Sequence, residues 1–242
     1  MSGTVRLDRL LANMGYGSRR DVQQLVRLGA VELDGKTLTV ADMRLAATPD
    51  LSDRMRVDGA RLDPPPGMVL MLYKPFGVTC SHKEMGELVY DLLPRRWRAR
   101  EPAISSVGRL DKETTGLLLL TDDGALLHRI ISPKRHVAKR YLATLARPLA
   151  GDEAERFAAG TLMLDGEDKP LAPATLEPLS PTTAWLTVTE GRYHQVRRMF
   201  AAVGNHVEAL HRDRIGALDL PADLEPGRHR LMTPADIAAV FA

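Results

Sequence analysis

"GRLDKETTGLLLLTDDG", residues 108–124, sets an aspartate, Asp111, between Arg109 and Lys112 and then runs into four consecutive leucines. So apolar a run is predicted to be a buried strand, residues 116–124, ending in a turn. A buried strand holds its upstream end rigidly, so the loop between Gly108 and Gly116 is anchored where it carries the acid. Burial disfavours a carboxylate's charge unless a cation stands close. Arg109 is near in sequence, and a second source of cations lies in "EGRYHQVRRMF", residues 190–200. There Val196, Met199, Phe200 and Val203 form the apolar stripe of a helix and leave His194, Arg197 and Arg198 toward its other side. An arginine held this way can grip a carboxylate with two hydrogen bonds and keeps its charge. Taken alone, an aspartate near a turn with a distant arginine is more often a structural ion pair than a reactive acid, and spacing does not decide between them.

Outward from that stretch, strands dominate. "MVLMLYKP" (68–75), "KRYLATLA" (139–146), "ATLEPL" (174–179) and "AWLTVTEG" (184–191) read as strands, and helices are expected at 125–131, 152–159, 193–203 and 234–241. Strands joined by turns with irregularly placed helices predict an α+β fold with a largely antiparallel sheet. The run "PPPG", residues 64–67, can continue neither a helix nor a central strand and reads as a linker, dividing the chain into residues 1–62 and 63–242.

Ahead of that linker lies a small basic unit. Leu7, Leu10, Leu11 and Met14 recur at helical spacing, "GYGS" breaks the helix, and Ser18 is placed to cap a second one carrying Val22, Leu25 and Val26. Asp34-Gly35 and Asp58-Gly59 are hairpin turn signals. Arg6, Arg9, Arg19, Arg20 and Arg27 face only Asp8 and Asp21 here, and Arg95, Arg96, Arg98 and Arg100 cluster around Trp97. The net charge of the whole chain is only +2, so its basicity is local, as a polyanionic partner or a solvated surface would each require.

At 242 residues and 44% hydrophobic content the chain can bury a sizeable core. No stretch reaches the roughly 18 apolar residues of a membrane span, and Arg6, Asp8 and Arg9 interrupt any signal-peptide core, so a cytoplasmic protein without membrane contact is expected. A single cysteine, Cys80, excludes an internal disulfide and a multi-thiolate zinc site; it reads as a small buried hydrophobe. "TDDG" reads as a turn that caps the following helix rather than a metal site, and "KETTG" lacks the glycines of a phosphate loop. No His-Glu-x-x-His pattern occurs; His194 and His211 are expected to line the cleft or pack beneath it.

Residues 5 to about 52 resemble the S4-type RNA-binding domain in the order of "RLDRLL", Ser18-Arg19 and "DGK". "GRLDKETTGLLLLTDDG" in turn resembles the defining motif of the RsuA-type pseudouridine synthases, which carry such a domain. "YKPFG" (73–77), "KRY" (139–141), "EGRYHQVRRMFAAVGNHVEALHRDRIG" (190–216) and "LEPGRHRLMT" (224–233) match in the same order, so the resemblance spans nearly the whole chain. It implies a pseudouridine synthase catalytic domain after the S4 domain. It also implies that Asp111 does the covalent chemistry at the target ribose, that Arg109 helps hold the target nucleotide out of its helix, and that Tyr141 stacks on the flipped base. Arg197 pairs with Asp111 in the same scheme, beside Val196 in the apolar wall. Arg19 and Arg20 are the expected phosphate contacts of the S4 unit. The isomerisation exchanges nothing with an outside donor, so no cofactor and no metal are implied. The C-terminal motif is similar to the branch that modifies 16S ribosomal RNA, free or within an assembling small-subunit particle, and a monomer is expected. "ISSVGRLD" resembles the 23S branches instead, so the same chemistry on 23S RNA stays open, as does a non-catalytic S4-type ribosome-assembly protein.

Overall fold

The computed structural model describes residues 4–81 and 85–242. The chain forms two compact units. One runs to Val69 and takes in Tyr90–Ser105 and Thr121–Gly124; the other holds Leu70–Val89, Ser106–Leu120 and Ala125–Ala242.

The first unit contains β1 (Thr4–Arg6), α1 (Leu7–Asn13), α2 (Arg19–Arg27), β2 (Val31–Leu33), β3 (Lys36–Thr37), β4 (Arg44–Ala46), α3 (Leu51–Arg54), β5 (Met55–Val57) and β6 (Ala60–Arg61). Its helices meet as their spacing predicts, burying Leu7, Leu10, Leu11, Met14, Val22 and Val26 in one core. Ser18 and Asp21 form a reciprocal capping box at the start of α2, each satisfying a backbone N–H that the helix leaves unpaired. Both hairpin turns carry two successive left-handed residues, Asp34-Gly35 and Asp58-Gly59, the geometry that matches strand twist. These join β2 to β3 and β5 to β6 in a sheet of order β3-β2-β5-β6, while β1 pairs with β4.

The basic cluster at 95–100 is not an open positive field. Arg96 lies over the Tyr16 ring and 3.3 Å from Asp63, Arg98 pairs with Asp91, and Arg100 is buried against Asp122. Asp122 therefore corrects the reading of "TDDG" as a turn alone. Its Oδ2 accepts from Arg100 Nε and Nη2, and its Oδ1 accepts from the Gly67 N–H. The leucine strand accordingly ends at Thr121, and the next helix starts at Gly124. Asp8 is likewise buried. Desolvation pushes its carboxyl up, but hydrogen bonds from Arg6, Arg19 and Gln23 outweigh it and hold the group below the usual carboxylate range.

The second unit is built on β7 (Val69–Lys74), β8 (Ser105–Ser106), β9 (Thr114–Thr121), α4 (Gly124–Ile131), β10 (Lys139–Leu145), α5 (Glu153–Ala158), β11 (Thr175–Ser180), β12 (Thr183–Val188), α6 (Gln195–Ala202), β13 (Val207–Ile215), β14 (Leu218–Asp219), β15 (His229–Leu231) and α7 (Pro234–Ala239). The nine-stranded sheet runs β11-β12-β10-β13-β9-β7-β15, with β14 on β13 and β8 on β9. The pairing of β9 with β13 is parallel and sets Gly116 opposite Arg212. The other pairings in that path for which a direction is given are antiparallel, in line with the predicted α+β class. Phe157 from α5 and Val196, Met199 and Phe200 from α6 pack against β10 to β13, the two phenylalanine rings meeting edge to face. Among the described residues no helix is long and apolar enough to cross a membrane.

Candidate active site

Asp111 sits on a turn clamped from beneath. Lys74, fully buried at the end of β7, donates its ammonium hydrogens to the carbonyls of Pro75, Lys112 and Thr114, at 3.0, 3.1 and 2.9 Å. The Gly77 N–H donates to Lys112 O, and the Thr114 N–H closes the turn on Asp111 O. Downstream, Gly116 has φ +109°, and a β-carbon there would lie 2.1 Å from the Arg212 carbonyl, so glycine alone lets β9 approach β13 this closely. Leu117–Leu120 then anchor the strand with no exposed surface. The acid at the mouth of the leucine run is thus held by both its ends.

A cavity of about 410 Å³ opens over this turn. Five of the residues named from the sequence line it together: Arg109, Asp111, Tyr141, Val196 and Arg197. They come from the 108–111 loop, from β10 and from α6, segments far apart in the chain. Arg19 and Arg20 belong to the other unit, on α2. His194 lines the cavity too, whereas His211 bonds Thr115 Oγ1 at 2.8 Å and packs edge-on to Tyr73. Burial lowers the His211 pKa.

One expected pairing is not made. Asp111 Oδ1 faces His194 Nε2 at 3.3 Å, not Arg197. Arg197 donates from Nη1 to Val207 O at 2.8 Å, and its buried Nη2, 3.8 Å from Glu113 Oε2, has no hydrogen-bond partner among the described residues. The cause is local backbone geometry. His194 is the residue before α6 and takes a left-handed conformation, φ 48° and ψ 34°, while Arg197 lies inside the first turn, where the carbonyl at the start of β13 claims its guanidinium.

Sequence reasoning missed two cations. Arg212, almost fully buried on β13, donates from Nε to Leu117 O at 2.8 Å and from Nη1 to Tyr141 Oη at 3.3 Å, and its buried Nη2 is unpaired among the described residues. Lys139 donates to Val137 O, and burial, aided by Arg212 and opposed by Glu190, brings its pKa down to about 8. Both stand inside stretches quoted for the family resemblance, "LHRDRIG" and "KRY", but His211 and Asp213 flank Arg212, and Ala138 and Arg140 flank Lys139, so no apolar run marks either as buried. The cavity therefore joins two partly exposed carboxylates, Asp111 and Glu190, an aromatic ring bonded to a buried guanidinium, and the unpaired Nη2 atoms of Arg197 and Arg212. Such a set can hold a planar, oxygen-rich ligand and let an acid act on it. Among the described residues no group of three histidine, cysteine or carboxylate side chains converges.

Residues 68–202 match the family model described as RNA pseudouridylate synthase, and residues 5–47 match the S4 domain. The chain is 43% identical over 240 residues to the Ribosomal small subunit pseudouridine synthase A of Escherichia coli (strain K12), covering 98% of this chain and 100% of that protein. With the protein of the same name from Yersinia pestis it shares 41% over 244 residues, covering 98% and 99%. Among solved structures, a crystal structure of a pseudouridylate synthase superposes with a TM-score of 0.68 at 37% identity, covering 98% of this chain and 99% of that one.

Proposed function

The chain belongs to the RNA pseudouridylate synthase family and carries an S4 domain near its N-terminus, and from that premise we propose that it isomerises one uridine of 16S ribosomal RNA to pseudouridine during small-subunit maturation. The observation that carries this reading is the convergence of Asp111, Tyr141 and Arg197 on one cavity.

In the proposed reaction the target uridine leaves its helix and enters the cavity, where Tyr141 replaces the lost stacking and Arg109 and Val196 help hold the nucleotide. Asp111 acts at the ribose, as a nucleophile at C1′ or as a base at C2′, with His194 and Arg197 as the groups able to stabilise its charge. The N1–C1′ bond breaks, the uracil turns, a C5–C1′ bond forms, and the C5 proton leaves, Tyr141 being placed to take it, while N1 gains one. Atoms balance without a cofactor. Arg19, held by Asp8, and Arg20 contact phosphates, residues 1–62 supplying docking and 63–242 chemistry, in a cytoplasmic monomer acting on free RNA or an assembling particle.

Mapping pseudouridine in ribosomal RNA from cells with and without the gene tests the proposal. One 16S pseudouridine should vanish and every 23S site remain. Loss of a 23S site with intact 16S RNA assigns the same chemistry to the large subunit, and a protein that makes no pseudouridine in either RNA is a binding module.

A further inference from the structure

Tyr193 holds its ring in solvent, 69% exposed, although the turn that carries it is tied down. Arg192 donates to Glu190 and Glu167 and to the carbonyls of Lys169 and Pro170. Gln195 Oε1 accepts from the Arg192 N–H, and Arg198 donates to Tyr193 O. The exposure is therefore built in, not the result of a loose loop. One face of the ring is covered: it stacks on His194, with centroids 3.8 Å apart and planes 17° from parallel. His194 in turn sets Nε2 against Asp111, and its left-handed backbone, unusual outside glycine, is what turns the imidazole toward both neighbours. Both rings line the cavity. A carboxylate, an imidazole and a phenol thus form a series whose outer ring faces water.

We propose that Tyr193, backed by His194, is a stacking step for a nucleobase next to the target uridine in the RNA chain. This rests on the pseudouridine synthase reading. Extracting a uridine from its stack strips one face from each neighbouring base, and an exposed aromatic ring at the rim of the receiving cavity restores that contact without regard to base identity. The charge around the cavity fits a nucleic-acid strand rather than an apolar peptide, since Arg109, Lys139 and Arg197 line it.

The test uses the full chain and RNA fragments that the parent protein isomerises, with 2-aminopurine substituted on either side of the target uridine in turn. Binding of the parent should quench the fluorescence of at least one of them. Tyr193→Ala and Tyr193→Leu should abolish that quenching and weaken affinity by about 5- to 100-fold, while the single-turnover rate at saturating protein changes by less than about 3-fold. Tyr193→Phe and Tyr193→Trp should keep both quenching and affinity. Unchanged quenching in Tyr193→Ala, full affinity in Tyr193→Leu, or a collapse of the saturated single-turnover rate with affinity intact would each overturn the proposal. If the parent forms no pseudouridine in any ribosomal RNA fragment, the functional reading fails first and the stacking step with it.

Discussion

Asp111 and Asp122 stand eleven residues apart on the same strand-and-turn segment and meet opposite fates. Asp122 is closed: both its oxygens are engaged, by Arg100 and by the Gly67 N–H, and the acid and the guanidinium are each 1% exposed. Asp111 is open: its side chain is one third exposed and faces His194, and among the described residues Arg197 and Arg212 in the same cavity each keep a buried nitrogen unpaired. Arg100 too keeps a buried nitrogen, Nη1, unpaired among the described residues, so the difference lies in the acids themselves. A carboxylate with both oxygens bonded and almost no exposure holds structure together, whereas one left partly exposed at a cavity is open to a ligand.

Exchange of each acid for its near-isosteric amide is the most direct way to break this contrast. Asp111→Asn should lower pseudouridine formation by at least about 1000-fold while RNA affinity and thermal stability stay close to the parent's. A comparable single-turnover rate in that variant would make Asp111 structural. Asp122→Asn should do the reverse. Leaving the Arg100 charge buried without its partner costs about 3–5 kcal/mol, which calorimetry should read as a fall of roughly 10 °C in the thermal midpoint, with the single-turnover rate of the folded protein preserved.

One cation and a further acid sharpen the contrast. Arg197→Met should slow the single-turnover rate by about 10- to 100-fold, with Arg197→Lys recovering part of the loss; a full rate in the methionine variant would mean that the guanidinium serves only the Val207 carbonyl. Asp8 offers a second closed acid. Its carboxyl is held below the usual range, so its stabilising contribution is complete above the unfolded value near 4 and is lost as pH falls further. Urea midpoints for Asp8→Asn should show a loss of about 1–2 kcal/mol at neutral pH and a flatter decline into acid than the parent.

Lys139 predicts the smallest effect. Its amine is neutral in the folded protein above about 8, whereas the unfolded chain keeps the proton up to about 10. Between those values the unfolded state binds more protons, so stability should rise with pH, and Lys139→Met should remove that rise in urea midpoints measured at pH 8 and pH 10.

Much of the fold was legible because its signals are local. The capping box of Ser18 and Asp21, the two Asp-Gly turns and the leucine run each involve residues a few positions apart, so type and spacing determine the backbone they adopt. β13 escaped notice for the complementary reason. Its inward positions include Arg212, and two register shifts against β10 break the alternation by which a strand is recognised.

The sequence by itself determined that an acid would be fixed at the head of a buried strand and that a basic two-helix unit would precede it, and its family resemblance named Arg109, Asp111, Tyr141, Val196 and Arg197, which line one cavity. Only the tertiary structure decided who pairs with whom. Arg197, expected on Asp111, turned to a carbonyl of β13, and His194 took the place beside the acid; Arg100, read as surface charge, went inside to Asp122. Hydrogen bonds and ion pairs are settled within a few tenths of an ångström, between segments far apart in the chain. Periodicity along the sequence carries no information at that scale.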